Sequence, residues 1–116
     1  MIQCDDISIL GPSGELDPQE GQLLLKKIRE LLQSHWNKIV LDLKKVDHIH
    51  YRFLSELQWA AVLSSVVSGG IKLANVNDYT RKLLKIAGVD DVFETYDSVG
   101  DAVMSFENPI FRKTLQ

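Results

Sequence analysis

The six residues KIVLDL, Lys38 to Leu43, constrain the fold of this chain more than any other stretch. The run is too short for a helix and is rich in Ile, Val and Leu, so both of its alternating faces are apolar. A strand of that kind belongs in the middle of a sheet, covered on both sides. The segments around it have the patterns that such a cover requires.

Upstream, ELDPQEGQLLLKKIRELLQSH opens with helix-start signals: Asp17 to cap, Pro18 at the first helical position and Glu20 three residues after the cap. Leu24, Ile28, Leu31 and Leu32 recur at helical spacing as the expected buried stripe. Downstream, FLSELQWAAVLSSVVSGG reads as a second helix with small residues at Ala60, Ala61, Ser64 and Ser65, ended by Gly69 and Gly70. IKLANV is a strand, and NDYTRKLLKIAG is a third helix capped by Asn77 or Asp78 and stopped by Gly88. DVFETY is read as a further main strand. DSVGDAVMSFEN is a fourth helix with Ser98 as N-cap and Asp101 in its first turn, ended by Pro109. At the amino end IQCDDISIL is a strand, and GPSG from Gly11 to Gly14 is a turn.

Strands alternating with helices imply βαβ units, so the fold class is α/β with a mixed, mostly parallel sheet of four to five strands and four helices. One domain over residues 1–108 and a tail over 109–116, PIFRKTLQ, account for the chain.

Bulk properties narrow the function. A net charge of −3 and lysines scattered in pairs (Lys26-Lys27, Lys44-Lys45) argue against nucleic-acid binding. No apolar run approaches the roughly 20 residues of a membrane span, so no membrane insertion is expected. The amino end, MIQCDDISIL, lacks the basic region of a secretory signal, and Cys4 is the lone cysteine. A reducing, cytoplasmic setting fits these features.

The stretch VDHIHYRFLSEL, Val46 to Leu57, holds the candidate chemistry. His48 and His50 share a face in extended chain, but a metal needs three or four ligands and no HExxH or CxxC spacing supplies them. Glycines are missing from the strand-to-helix turn, which removes a phosphate-cradling loop. Ser55 lies beyond His50 in the helix, with nothing to mark it as a nucleophile. No enzyme activity and no cofactor are expected. Asp42, a charge inside an apolar strand, is read as a structural carboxylate that bonds loop amides.

Three segments together resemble the STAS domain family of bacterial anti-sigma factor antagonists. They are GELD (Gly14 to Asp17), IVLDLKKVDHI, and GGIKLANVNDYTRKLLKIAGVDDVF, with SVGDAV similar to the closing helix. The resemblance spans Ile7 to Phe106. It implies a protein-binding regulatory module for transcription signalling whose partner is an anti-sigma factor, often a serine kinase. In switch members of the family the junction after V-x-x-I reads Asp-Ser-Ser-Gly-Leu or Asp-Ser-Thr-Gly-Leu, and the kinase modifies the first hydroxyl. Here the matching residues are His50, Tyr51, Arg52, Phe53 and Leu54. The resemblance therefore puts Tyr51 at the phosphoacceptor position and implies that the usual serine switch is absent.

Arg52 opposes the helix dipole, so it is better suited to a partner's carboxylate or phosphate than to helix stability. His50, Tyr51, Arg52, Phe53, Ser55 and the neighbouring Asp17 are the expected partner-binding residues. A junction that drifted without a role is the bland alternative. A constitutive STAS subunit of a larger complex, such as a lipid-transport ABC assembly with exposed Phe53 and Trp59 buried by a partner, is the runner-up. A metal or small-ligand sensor ranks below it, and a homodimer is compatible with all of these.

Overall fold

The computed structural model describes residues 2–4, 6–66 and 69–107. Seven strands and four helices follow in the order β1 (Ile2–Cys4), β2 (Ile7–Leu10), β3 (Ser13–Leu16), α1 (Pro18–Gln33), β4 (Lys38–Asp42), β5 (Lys45–Ile49), α2 (Tyr51–Val66), β6 (Gly70–Ala74), α3 (Asp78–Ile86), β7 (Thr95–Tyr96) and α4 (Val99–Glu107). The main sheet has the order β1-β2-β4-β6-β7, with β4 in the middle. Strands β2, β4, β6 and β7 are parallel, and β1 runs antiparallel on the edge. The expected mixed, mostly parallel α/β architecture is present.

Strand alternation distributes β4 between two cores. Ile39 and Leu41 join the larger cluster with Leu25 and Ile28 of α1, Leu54 and Leu57 of α2, and Leu84 of α3. Val40, between them, faces Ile7, Ala74, Tyr96 and Ala102 on the α4 side. Both faces of the central strand are thus covered, as its composition requires. On the α4 side, Lys72 is buried in β6 but paired: its Nζ lies 3.6 Å from Glu94 and donates to Ser105 Oγ at 2.7 Å.

The helix caps are as local chemistry dictates. Asp17 accepts from the Glu20 amide at 2.8 Å, Asn77 from the Thr80 amide at 2.7 Å, and Ser98 from the Asp101 amide at 3.0 Å. At the other end of α1, the amides of His35 and Trp36 return to the carbonyls of Leu32 and Leu31, with His35 at φ 66°. This is a Schellman turn with histidine where glycine is usual.

Four details depart from the sequence reading. IQCDDISIL is two antiparallel strands rather than one, and Asp6 beside the turn pairs with Lys38 of β4 at 2.9 Å. That hydrogen bond holds the Asp6 carboxyl below its usual value. The GPSG turn is shorter than expected, because Ser13 and Gly14 already belong to β3, which pairs in parallel with β5 in a second, two-stranded sheet. The strand expected over DVFETY shrinks to Thr95–Tyr96, since residues 90–92 turn and Phe93 is spent on the core. In α1 the buried face is Gly21, Leu25, Ile28 and Leu31, and Leu24 and Leu32 flank it half-buried. The tail, Pro109 included, and the side chains of Cys4 and Ser65 lie outside the described residues.

The small β3–β5 sheet positions the start of α2. It continues the chain past the carboxyl ends of β2 and β4 and delivers it to the starts of α1 and α2. Asp42 steadies this region by accepting from the Lys44 amide at 3.1 Å and from Asn75 Nδ2 at 2.9 Å. It thereby ties the ends of β4 and β6 and supports Asn75 in a left-handed conformation, φ 58°. Asp42→Ala should cost about 1–3 kcal/mol of stability by leaving these donors unmatched; an unchanged denaturation midpoint would contradict the structural role. His35→Gly should raise stability by about 1 kcal/mol by relieving the left-handed penalty at the Schellman position. Urea unfolding of the two proteins side by side reads this directly.

Candidate functional site

The start of α2 lies beyond the carboxyl ends of the parallel strands, where open α/β sheets place their sites. Two features built into the sequence set its shape. The β3–β5 register slips between Gly14 and Glu15, at Gly14 with φ 80°, so that Glu15 comes opposite His48 and Leu16 opposite Ile49. The His50 amide then donates to the Leu16 carbonyl at 2.9 Å, which carries the pairing up to the first turn of the helix.

His50 caps α2 with its side chain. Its Nδ1 accepts from the Arg52 amide at 3.1 Å, while its carbonyl accepts from the Phe53 amide at 3.0 Å. A short oxygen-bearing side chain usually fills this role. Acceptance at Nδ1 requires the tautomer protonated on Nε2. The ring also lies 6.1 Å from that of Tyr51, tilted by 32°. Tyr51 is 60% exposed, and Arg52 and Ser55 are exposed beside it.

A groove of about 240 Å³ runs beside the cap, lined by Glu15, Asp17, His48, His50 and Tyr79. Asp17 thus lies at the junction as expected, although its carboxylate is already engaged as the α1 cap. His48 packs edge-on against Tyr79 with ring centroids 5.3 Å apart. Among the described residues no group of three His, Cys, Asp or Glu side chains is placed to hold a metal ion. The surface offers an exposed phenol and an exposed guanidinium beside a shallow groove of mixed lining, with Leu16 and Ile49 among the polar groups; the first two suit recognition of another molecule's polar groups.

The expectation that Phe53 is an exposed docking contact is corrected. Phe53 is only 3% exposed and belongs to the main core. Its ring lies against Gly21 of α1, so closely that a Cβ added there would stand 3.0 Å from Phe53 Cδ1. A glycine in the first turns of the helix lets the ring sit directly on its backbone. Gly21 was the overlooked residue, and its signal was in the sequence: glycine inside a strong helical pattern needs a packing reason. Trp59, in contrast, is 73% exposed.

With this geometry established, comparison with known proteins settles the lineage. A model of the STAS domain matches residues 1–102. The chain belongs to the STAS domain family. A Thermotoga maritima protein named as an anti-sigma factor antagonist is 29% identical over 102 residues, spanning 85% of this chain and 88% of its own length. The crystal structure of an anti-sigma factor antagonist from the same organism superposes with a TM-score of 0.82 at 26% identity, covering 90% of this chain and 91% of that one. SpoIIAA, an anti-sigma factor antagonist in its unphosphorylated form, shares the fold with a TM-score of 0.72 at 13% identity, covering 90% and 92%. The STAS family resemblance in GELD, IVLDLKKVDHI and the second half is borne out, and the similar proteins over most of the chain's length are named as anti-sigma factor antagonists.

Phe53→Ala should cost about 3–5 kcal/mol, the usual loss for emptying a buried phenylalanine site. Gly21→Ala should destabilise the wild type despite the roughly 1 kcal/mol helix-propensity gain of alanine. In a Phe53→Leu background the same change should become neutral or stabilising. A double-mutant cycle by chemical denaturation measures this, and equal effects in both backgrounds would refute the contact.

Proposed function

We propose that this STAS domain is a non-enzymatic, cytoplasmic regulatory module that binds a protein partner of the anti-sigma factor class through the start of α2, without the serine phosphorylation switch. The exposed Tyr51–Arg52 pair at a helix end already capped by His50 carries the reading. The cap occupies a backbone donor that an incoming phosphate would use. Arg52 remains free to meet a partner's carboxylate or phosphate, and Tyr51, Ser55 and the groove beside Asp17 complete a contact surface of the composition found at interface hot spots.

No helix among the described residues is long and apolar enough to cross a membrane. Trp59 favours a second reading, a constitutive subunit of a larger assembly. Phe53, the other half of that argument, is buried. Stable co-elution with a membrane complex from native-host extracts would favour the subunit reading.

The test uses the anti-sigma factors of the native host. Arg52→Ala and Tyr51→Ala should each weaken binding about tenfold or more in calorimetry while leaving the melting temperature nearly unchanged. Full affinity in both variants would remove the junction from the interface. Incubation with a cognate anti-sigma kinase and ATP should leave the intact mass unchanged; stoichiometric phosphate on Tyr51 or Ser55 would overturn the switchless reading.

A further inference from the structure

The cap at the start of α2 differs in kind from the others. Asp17, Asn77 and Ser98 accept their amides through side-chain oxygens, whereas His50 accepts through a ring nitrogen. Imidazole is the side chain that ordinarily changes charge between about pH 5 and about pH 8. The bond from the Arg52 amide ends on Nδ1 at 3.1 Å and uses the lone pair that a second ring proton would take. An imidazolium has two donors and no acceptor, so it cannot receive that amide. Its charge would also stand at the positive end of the helix dipole, two residues before the Arg52 guanidinium.

Gathered round the ring are the groups that decide where an imidazolium goes. The shallow groove of about 240 Å³ places it with Glu15 of β3, Asp17 at the start of α1, His48 of β5 and Tyr79 of α3. On its own helix it faces Tyr51, with ring centroids 6.1 Å apart, and Arg52. Two carboxylates therefore share the groove with the ring, and a cation lies on the helix side. Glu15 forms no ion pair among the described residues. His50 is exposed and its amide is held by the Leu16 carbonyl at 2.9 Å, so the ring can turn while the backbone beneath it stays. Phe53, buried in the core, fixes the helix from its third residue. Between these two anchors stand Tyr51 and Arg52.

We infer that His50 is a pH-sensitive latch on the start of α2. The neutral ring caps the helix; the protonated ring leaves the Arg52 amide for the carboxylates of Glu15 and Asp17, which loosens the turn that carries Tyr51 and Arg52. The cap is present at higher pH and lost as pH falls. The latch is a property of the chain alone. That a partner contact through Tyr51 and Arg52 would then vary with pH rests on the function proposed above.

Two-dimensional NMR of the full chain from about pH 8 to about pH 5 tests it. As the His50 ring signals titrate, the Arg52 amide should shift with the same midpoint. The Cα shifts of Tyr51 and Arg52 should move from helical towards coil values. Protection of the Arg52 amide from hydrogen exchange, corrected for the intrinsic rate, should fall about fivefold, the usual worth of a cap. His50→Asn supplies an oxygen cap without a titrating ring and should abolish all three changes. His48→Gln removes the other imidazole of the groove and should leave them in place. A His50 ring that keeps one charge across the range, an Arg52 amide that ignores its titration, changes that survive in His50→Asn, or changes that vanish in His48→Gln would each overturn the inference. A junction that binds no partner would leave these readings untouched, so the two proposals fail separately.

Discussion

The Phe53 ring seated on the bare backbone of Gly21 determines where α1 and α2 meet, and most of what the surface offers follows from that contact. It brings the first turns of the two helices together and keeps them parallel. It leaves Tyr51 and Arg52 outward at the start of α2, and an apolar groove lined by Leu25, Trp59 and Leu63 lies further along the two helices. A Cβ at position 21 would stand 3.0 Å from Phe53 Cδ1, so the ring would have to give way by a few tenths of an ångström. The junction and the groove thus lie on either side of one small–large contact between the helices.

The junction itself is held by backbone pairing rather than by side-chain chemistry. The β3–β5 sheet carries the chain to the helix, the Leu16 carbonyl receives the His50 amide, and His50 closes the helix end with its own ring. This arrangement presents an exposed phenol and an exposed guanidinium at the helix start. The contact surface proposed above lies here, at His50, Tyr51, Arg52 and Ser55.

Much of the architecture was legible because it rests on near neighbours in sequence. Asp17, Pro18 and Glu20 announce α1, Asn77 and Ser98 sit at the caps of α3 and α4, and each acts within three residues of itself. The apolar run of β4 demanded cover on two faces and received it. Asp42 stood out as a charge in an apolar strand and turned out to bond an adjacent amide and a side-chain amide across the sheet. The elements that escaped depend on partners far along the chain. Ser13 and Gly14 read as a turn until β5 is there to pair with them. DVFETY has strand composition, yet Phe93 is drawn into the core and only Thr95 and Tyr96 remain to pair with β6.

The candidate site divides along the same line. The location of the junction, the exposure of Arg52 and the proximity of Asp17 follow from the order of strands and helices, and that order is written in hydrophobic period and capping residues. The burial of Phe53 is not. An aromatic residue at a helix start can face solvent or core, and its own neighbours do not decide which. The space opposite it does, and that space exists because Gly21, more than thirty residues earlier, has no side chain. Sequence alone determined the four helices, the central strands, their order and the family, because these depend on local pattern. Only the tertiary structure decided which side chains reach the surface, because exposure depends on what packs against each of them.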